Sequence, residues 1–385
     1  MNYILFDDCR QDLLPLTYTK PVAELRVGII SIREKWELML NSTLSFLTEN
    51  YLQGKFELKQ EDMNVWINGS ILPNSSLIKA ILSLNENSCL VKGETIIAFK
   101  SSTYKIPENS ILFEEEYYQI DKVWKIFSLN EIAIKNDFEL LTNGRKSEQL
   151  SNTNTAFEIE RIFIEKGAVV ECSILNPNGG YIYIGKNAQV MEGSIVRGSL
   201  AMCENSVLKI GAKIYGATTI GPSSKVGGEV NNTVLQAYSN KGHDGFLGNS
   251  VIGEWCNLGA DTNNSNLKNN YADVKLWNYS SNRFENTQLQ FCGLIMGDHS
   301  KCGINTMFNT GTVVGICSNI FGAGFPRNFV PSFSWGGSAG YSTYVLNKVF
   351  DVASKVTLRR KVEFSQIDKD ILSHVFELTN RYRNG

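Results

Sequence analysis

The eight cysteines of this chain never approach one another as Cys-x-x-Cys, so a zinc ribbon and a small disulfide framework are both excluded. They are expected to be reduced and mostly buried. No stretch reaches the roughly 18 to 20 uninterrupted apolar residues that span a bilayer. Neither sign of charge dominates: 37 Lys and Arg face 39 Asp and Glu, a net charge of −2 that leaves no global field for nucleic acid or an anionic membrane. The opening Met-Asn-Tyr-Ile-Leu-Phe-Asp-Asp has no basic leader and places carboxylates where a secretion signal needs apolar residues, so the cytoplasm is the expected compartment. Histidine is the scarcest chemical resource, with three in 385 residues.

What the chain does have is a large apolar share, 43%, enough for a sizeable interior and for two or three domains. Residues 1–152 mix short apolar runs with amphipathic stretches, as in Val27 to Ile32 followed by Arg33-Glu34-Lys35-Trp36-Glu37, and read as an α/β domain. Residues 153–342 have another texture. Glycine and asparagine rise, and aliphatic residues return every six positions: Ile164 and Val170; Ile184, Val190 and Val196; Ile220 and Val226; Ile252 and Leu258; then Ile304, Thr310 and Ile316. Glycine often follows, as in Ile184-Gly185, Ile210-Gly211 and Ile220-Gly221.

A helix repeats every 3.6 residues and an alternating strand every two. A three-sided coil instead needs one inward aliphatic per face and a permissive residue near each corner. Ser239 to Phe246 and Asn176 to Tyr181 break the beat, Leu247 to Ile252 is a five-residue step, and Ser265 to Asn286 is a long departure. Such breaks are expected as loops. Residues 343–385 read as a helical segment: Tyr344 to Lys361 is helix-like, and Ser365-x-x-Asp368 is a start signal for a second helix.

The register over residues 160 to 330 resembles the hexapeptide-repeat proteins. That resemblance implies a left-handed parallel β-helix, usually a homotrimer. Within it, His243 lies in Lys241-Gly-His-Asp-Gly-Phe-Leu-Gly248, a polar segment flanked by glycine. An imidazole is suited to removing a proton near neutral pH. His299 and His374 read as structural, the latter on the face of a terminal helix. With only His243 and His299 in the solenoid, a three-histidine metal site cannot be built, and no metal ligand is assigned.

The ungapped pattern from Lys241 through Asn257-Leu-Gly-Ala260 to Asn266 is similar to the acetyltransferase half of the bifunctional N-acetylglucosamine-1-phosphate uridylyltransferase and glucosamine-1-phosphate N-acetyltransferase family. The resemblance implies His243 as general base, Lys241, Phe246 and Asn257 at the acceptor, and Ala260 and Asn266 along an acetyl-coenzyme A cleft between subunits. The acceptor implied is an amino sugar phosphate or nucleotide sugar. Two departures stand out: Phe246 replaces a tyrosine, and Thr233 replaces a lysine that binds the acceptor phosphate. A site missing such polar partners is expected to take a different acceptor. Lys241, Lys268 and Arg283 are candidate substitutes. The basic Leu358-Arg359-Arg360-Lys361 run reads as a solvated helix end that could instead touch a phosphate.

Asp7-Asp8-Cys9-Arg10, Leu14-Pro15-Leu16-Thr17 and Lys20-Pro21 resemble a distorted start of a sugar nucleotidyltransferase, in the glucose-1-phosphate thymidylyltransferase-like group. That implies nucleotide or phosphate contacts from Arg10 and Lys20, and Mg²⁺ if the domain is active. Glycines that let backbone N–H groups approach a triphosphate are absent before Arg10, and Asn68-Gly69-Ser70 has a serine where a metal-binding carboxylate is expected. Asp7, Asp8, Asp121 and Asp137 remain as acidic candidates. Three readings are therefore open: acetyl transfer at the solenoid, nucleotidyl transfer at the front domain, and a non-catalytic trimeric scaffold.

Overall fold

The computed structural model describes residues 1–383. The front domain is built on a six-stranded sheet with strands β1 (Asn2–Phe6), β2 (Leu44–Leu47), β3 (Asn64–Asn68), β4 (Ser88–Lys92), β5 (Thr95–Ser101) and β6 (Asn109–Leu112) in the order β2-β1-β3-β5-β4-β6. The first three strands run parallel. Helix α1 (Ile32–Leu40) starts on a capping box, Ser31 accepting from Glu34 N while Glu34 accepts from Ser31 N, and α2 (Ser75–Leu82) and α3 (Asn130–Thr142) follow.

From Thr155 the chain winds as the left-handed parallel β-helix. Nine strands from Ile162–Ile164 to Phe329–Val330 make the first face. A second begins at Val169–Val170, and a third runs from Thr155–Ala156 to Phe246–Gly248 and continues in the pair Asn263–Asn264 and Met307–Phe308. Successive coils pair in strict register, so Val190, Leu208 and Val226 stack inward on the second face. Corner residues carry a left-handed backbone. Asn187, Asn205, Ser223, Tyr238, Trp255 and His299 all have φ between 54° and 61° at the junction of the first and second faces.

Three expectations about register need correction. Ser239 to Phe246 is not a break: Leu235, Lys241 and Leu247 keep the six-residue step, with Lys241 paired to Val226 in the inward row. Ile304, Thr310 and Ile316 are two positions out of phase. The inward residues are Met296, Cys302, Phe308, Val314 and Ile320, while Ile304 is 71% exposed and Ile316 packs outward into the front domain's core. Ile210 is likewise 70% exposed, because Leu208 and Ile214 hold the interior. At Ile210, Ile304 and Ile316 an isoleucine beside a glycine imitates the repeat, whereas the stacking of pleated strands fixes the true phase.

The first face is buried on both sides. Its outward residues Phe163, Tyr183, Val234, Val251, Ile295 and Val313 pack against the front domain, which explains runs such as Ile182-Tyr183-Ile184 with no polar alternation. Polar ties seal the contact: Thr219 Oγ1 donates to Gly28 O at 2.9 Å, and the Gln236 amide exchanges bonds of 2.7 and 3.0 Å with the Arg26 backbone. The long departure after Ser265 contains a hairpin, Lys275–Asn278 with Arg283–Asn286. At the end, α4 (Leu346–Leu358) and α5 (Gln366–Leu378) add Val349, Leu372 and Val375 to the same core, and α5 begins on the expected Ser365 and Asp368 capping box.

Candidate functional site

The second face carries a groove of about 730 Å³. Its floor is the outward row of adjacent coils, Lys225, Asn240, Asn257 and Lys301. Val356, Arg359 and Arg360, at and beyond the end of α4, overhang it, and Arg360 Nη2 donates to Asn240 Oδ1 at 3.2 Å. His243 stands at one edge, in the turn between the second and third faces, with an exposed ring that makes no hydrogen bond among the described residues. Asp244, its neighbour in sequence, makes no bond to it.

The turn is held from beneath. Lys241 is 1% exposed, and its Nζ donates to His243 O at 2.8 Å and to Gly227 O at 3.1 Å. Burial pulls the Lys241 ammonium down to about 8, against the weaker opposing pull of Asp244 and Asp261. Gly245, at φ 108°, completes the turn: a Cβ there would lie 2.2 Å from Thr262 O. Phe246 N then donates to Asn263 Oδ1 at 2.8 Å. The imidazole is thus mounted on a braced turn and left free to meet a ligand.

The motif residues divide between two surfaces. Asn257 and Ala260 line the groove with His243. Phe246 and Asn266 lie along the third face outside it, and Asn266 Nδ2 donates to Asn249 Oδ1 at 2.8 Å. Lys241, expected at the acceptor, is turned into the coil and braces the turn from inside. Thr233 is buried, with its hydroxyl bonded to Asn231 O at 2.9 Å. Lys268 donates to Asp273 O at 2.7 Å, and Arg283 lies in the inserted hairpin, so neither lines the groove. The cations that do are Lys209, Lys225, Lys301, Arg359 and Arg360. Arg359 and Arg360 were legible as a basic run; Lys209 and Lys225 carried no signal, because only coil stacking brings them together.

The front domain puts its expected residues to other uses. Arg10 is buried and donates to Asp7 Oδ2 at 2.8 Å, Lys20 O at 3.0 Å, Tyr51 Oη at 3.0 Å and Thr17 O. Its fork is spent on the loop that follows β1. Lys20 is buried between domains, 2.7 Å from Glu254 and 3.0 Å from Asp298, and this pair of carboxylates outweighs burial and raises its pKa. Both expected nucleotide contacts, Arg10 and Lys20, are thus buried and engaged within the fold.

The acidic candidates are engaged too. Asp7 accepts from Val22 N at 2.8 Å and Thr48 Oγ1 at 2.5 Å, and Asp8 from Asn68 Nδ2 at 2.7 Å. Asp137 is ion-paired to Lys35 and accepts from Ile29 N at 2.7 Å, while Asp121 pairs with Lys125 at 2.7 Å. Ser70 donates to Asn68 Oδ1 at 2.6 Å. No cluster of three His, Cys, Asp or Glu side chains suited to a metal occurs among the described residues. The other two histidines are packing groups: His374 stacks on Tyr51 at 4.3 Å, and His299 is enclosed beside Trp255.

Residues 3–146 match the family model for sugar nucleotidyl transferases. The front domain carries that family's pattern. Two curated relatives extend the likeness. One, named bifunctional protein GlmU, from Methanocaldococcus jannaschii, is 37% identical over 98 residues, covering 26% of this chain and 22% of the relative. The other, from Sulfurisphaera tokodaii, is named bifunctional sugar-1-phosphate nucleotidylyltransferase/acetyltransferase and is 27% identical over 213 residues, 55% of this chain and 46% of the relative. The chain thus spans less than half the length of either. No helix among the described residues is long and apolar enough to cross a membrane.

Proposed function

We propose that the chain transfers an acetyl group from acetyl-coenzyme A to the amine of an amino sugar phosphate or a nucleotide-linked amino sugar, with His243 as general base. The observation that carries this reading is the unpartnered imidazole on a braced turn, at the edge of a groove shared with Asn257 and Ala260. The amine nitrogen attacks the thioester carbonyl, a C–N bond forms, and the His243 ring takes the amine proton. The C–S bond then breaks, and the departing thiolate takes a proton to leave as free coenzyme A. A base of this kind contributes about 10²-fold to 10⁴-fold. The named acetyltransferase relative supports the assignment.

A homotrimer belongs to the same reading, since Phe246 and Asn266 sit on the third face, around the corner from the groove, where a neighbouring copy would meet them. Ile174 and Ile195, paired in register on that face, are 41% and 46% exposed, which suits such a contact. A cytoplasmic location belongs to the same reading. The test is acetyl transfer over a panel of amino sugar phosphates and nucleotide-linked amino sugars: unchanged turnover in His243→Ala rejects the base assignment. Sedimentation of the full chain as a monomer rejects the trimer.

A second reading, nucleotidyl transfer by the front domain, is favoured by the family match over residues 3–146. The engagement of Arg10 and Lys20 within the fold weighs against it. Mg²⁺-dependent pyrophosphate release from a nucleoside triphosphate and a sugar 1-phosphate, absent in Asp8→Asn, would establish it over the unreactive alternative.

A further inference from the structure

The groove holds more positive charge than acetyl transfer at its edge requires. Lys209, Lys225, Arg359 and Arg360 form no ion pair among the described residues, although five of the other ten arginines do. They lie close enough to repel one another. Burial and then the charges of Arg360, Lys209 and Arg359 pull the Lys225 ammonium down, and burial and Arg359 do the same to Arg360. Like charges gathered without a counter-charge in a concave site are stabilised when a multivalent anion enters.

A second feature of the same groove is a flat aromatic step. Tyr238 and Trp255 occupy equivalent corners of adjacent coils and stack with ring centroids 4.1 Å apart and planes within 1°. The preceding coil carries Ser223 at that corner, so the ladder of rings stops at Tyr238, and no other ring covers its far face among the described residues. Both rings line the groove beside the cations. A ligand with a planar ring and adjoining phosphates meets both features at once: the ring extends the stack, and the phosphates reach the cations.

We propose that this groove is a nucleoside diphosphate site, in which Tyr238 stacks the base and Lys209, Lys225, Arg359 and Arg360 hold the diphosphate. The C-terminal helical segment, through Arg359 and Arg360, supplies half of the charge from the same chain, so the site is complete in one copy. It deepens the acetyl-transfer reading, on which its place in a reaction rests, because coenzyme A and a nucleotide-linked sugar both contain this unit. Binding itself does not need His243.

The experiment is calorimetric titration of the full chain with ADP, UDP, coenzyme A, a UDP-linked amino sugar and inorganic pyrophosphate. The nucleotides are expected to bind, with coenzyme A and ADP preferred if the site serves the acetyl donor and the uridine ligands preferred if it serves the acceptor. Arg359→Ala/Arg360→Ala should weaken binding at least about tenfold. Tyr238→Ala should weaken nucleotides by about tenfold and leave pyrophosphate unchanged. If the double variant melts early, Lys209→Glu carries the same expectation as the double variant. Three outcomes overturn the proposal: no nucleotide binding at about 1 mM, unchanged affinity in well-folded charge variants, or pyrophosphate binding as tightly as the nucleotides. His243→Ala should bind nucleotides like the parent, so lost transfer with intact binding separates failure of the base from failure of the site.

Discussion

Replacing Lys241 by methionine tests the brace beneath His243 directly. The lysine occupies an inward row otherwise filled by Leu208, Val226 and Leu258, and its pKa falls from 10.5 to about 8 because burial disfavours the ammonium. Between those two values the unfolded chain holds a proton that the folded chain has released, so folding stability rises with pH through this window. The contribution is fully present above pH 10.5 and lost as pH falls through about 8. A difference of 2.5 pH units corresponds to about 3 kcal/mol at roughly 1.4 kcal/mol per unit.

Methionine has similar length and no titration. It leaves Gly227 O and His243 O without their donor, a cost that does not vary with pH. The difference between parent and Lys241→Met therefore isolates the lysine from every other group. With an unfolding entropy of about 2.1 cal/mol/K per residue, a chain of 385 residues has roughly 0.8 kcal/mol/K, so the difference in melting temperature should move by about 4 °C in the parent's favour from pH 8 to 10.5. Thermal scans of both proteins across this range measure it. A difference that stays flat to within about 1 °C would show that Lys241 titrates normally and would refute the lowered pKa.

Three further outcomes are expected. His243→Ala should lower acetyl transfer by about 10²-fold to 10⁴-fold while melting like the parent, since the exposed ring supports nothing; steady-state kinetics beside a thermal scan checks both. Lys20→Met should destabilise the chain by about 3 kcal/mol, because Asp298 and Glu254 lose the cation between them, and denaturant unfolding measures the loss. His299→Phe should flatten the acid limb of the stability curve: burial holds its imidazole neutral down to about 3, so the unfolded chain takes up the proton first below 6.5 and stability falls with pH. From pH 6.5 to 4 that is about 3 kcal/mol, seen as a steeper decline in the parent than in the variant.

How far the sequence could be read depended on whether a feature was local. Six-residue spacing announces a coil because each inward side chain meets its equivalent one turn away, and that requirement is written directly into residues such as Ile184, Val190 and Val196. The Ser365 capping box needs only four consecutive residues and was equally plain. Phase was harder. Ile304 and Ile210 satisfy the composition of the repeat while facing outward, and Lys241 violates it while facing inward.

Arg10 and Lys20 show the other limit. The local motif suggests phosphate contacts, yet the fold turns Arg10 onto Thr17 and Lys20 carbonyls and lodges Lys20 between two carboxylates more than 230 residues away. What the chain determines by itself is the repeat, the terminal helices and the free histidine within its glycine-flanked turn. The docking of the front domain on the first face, the brace under His243 and the gathering of Lys209, Lys225, Arg359 and Arg360 over one groove were decided only by tertiary structure. The reason is that charge and packing act through distance in space, and stacking coils place side by side residues that the linear order keeps far apart.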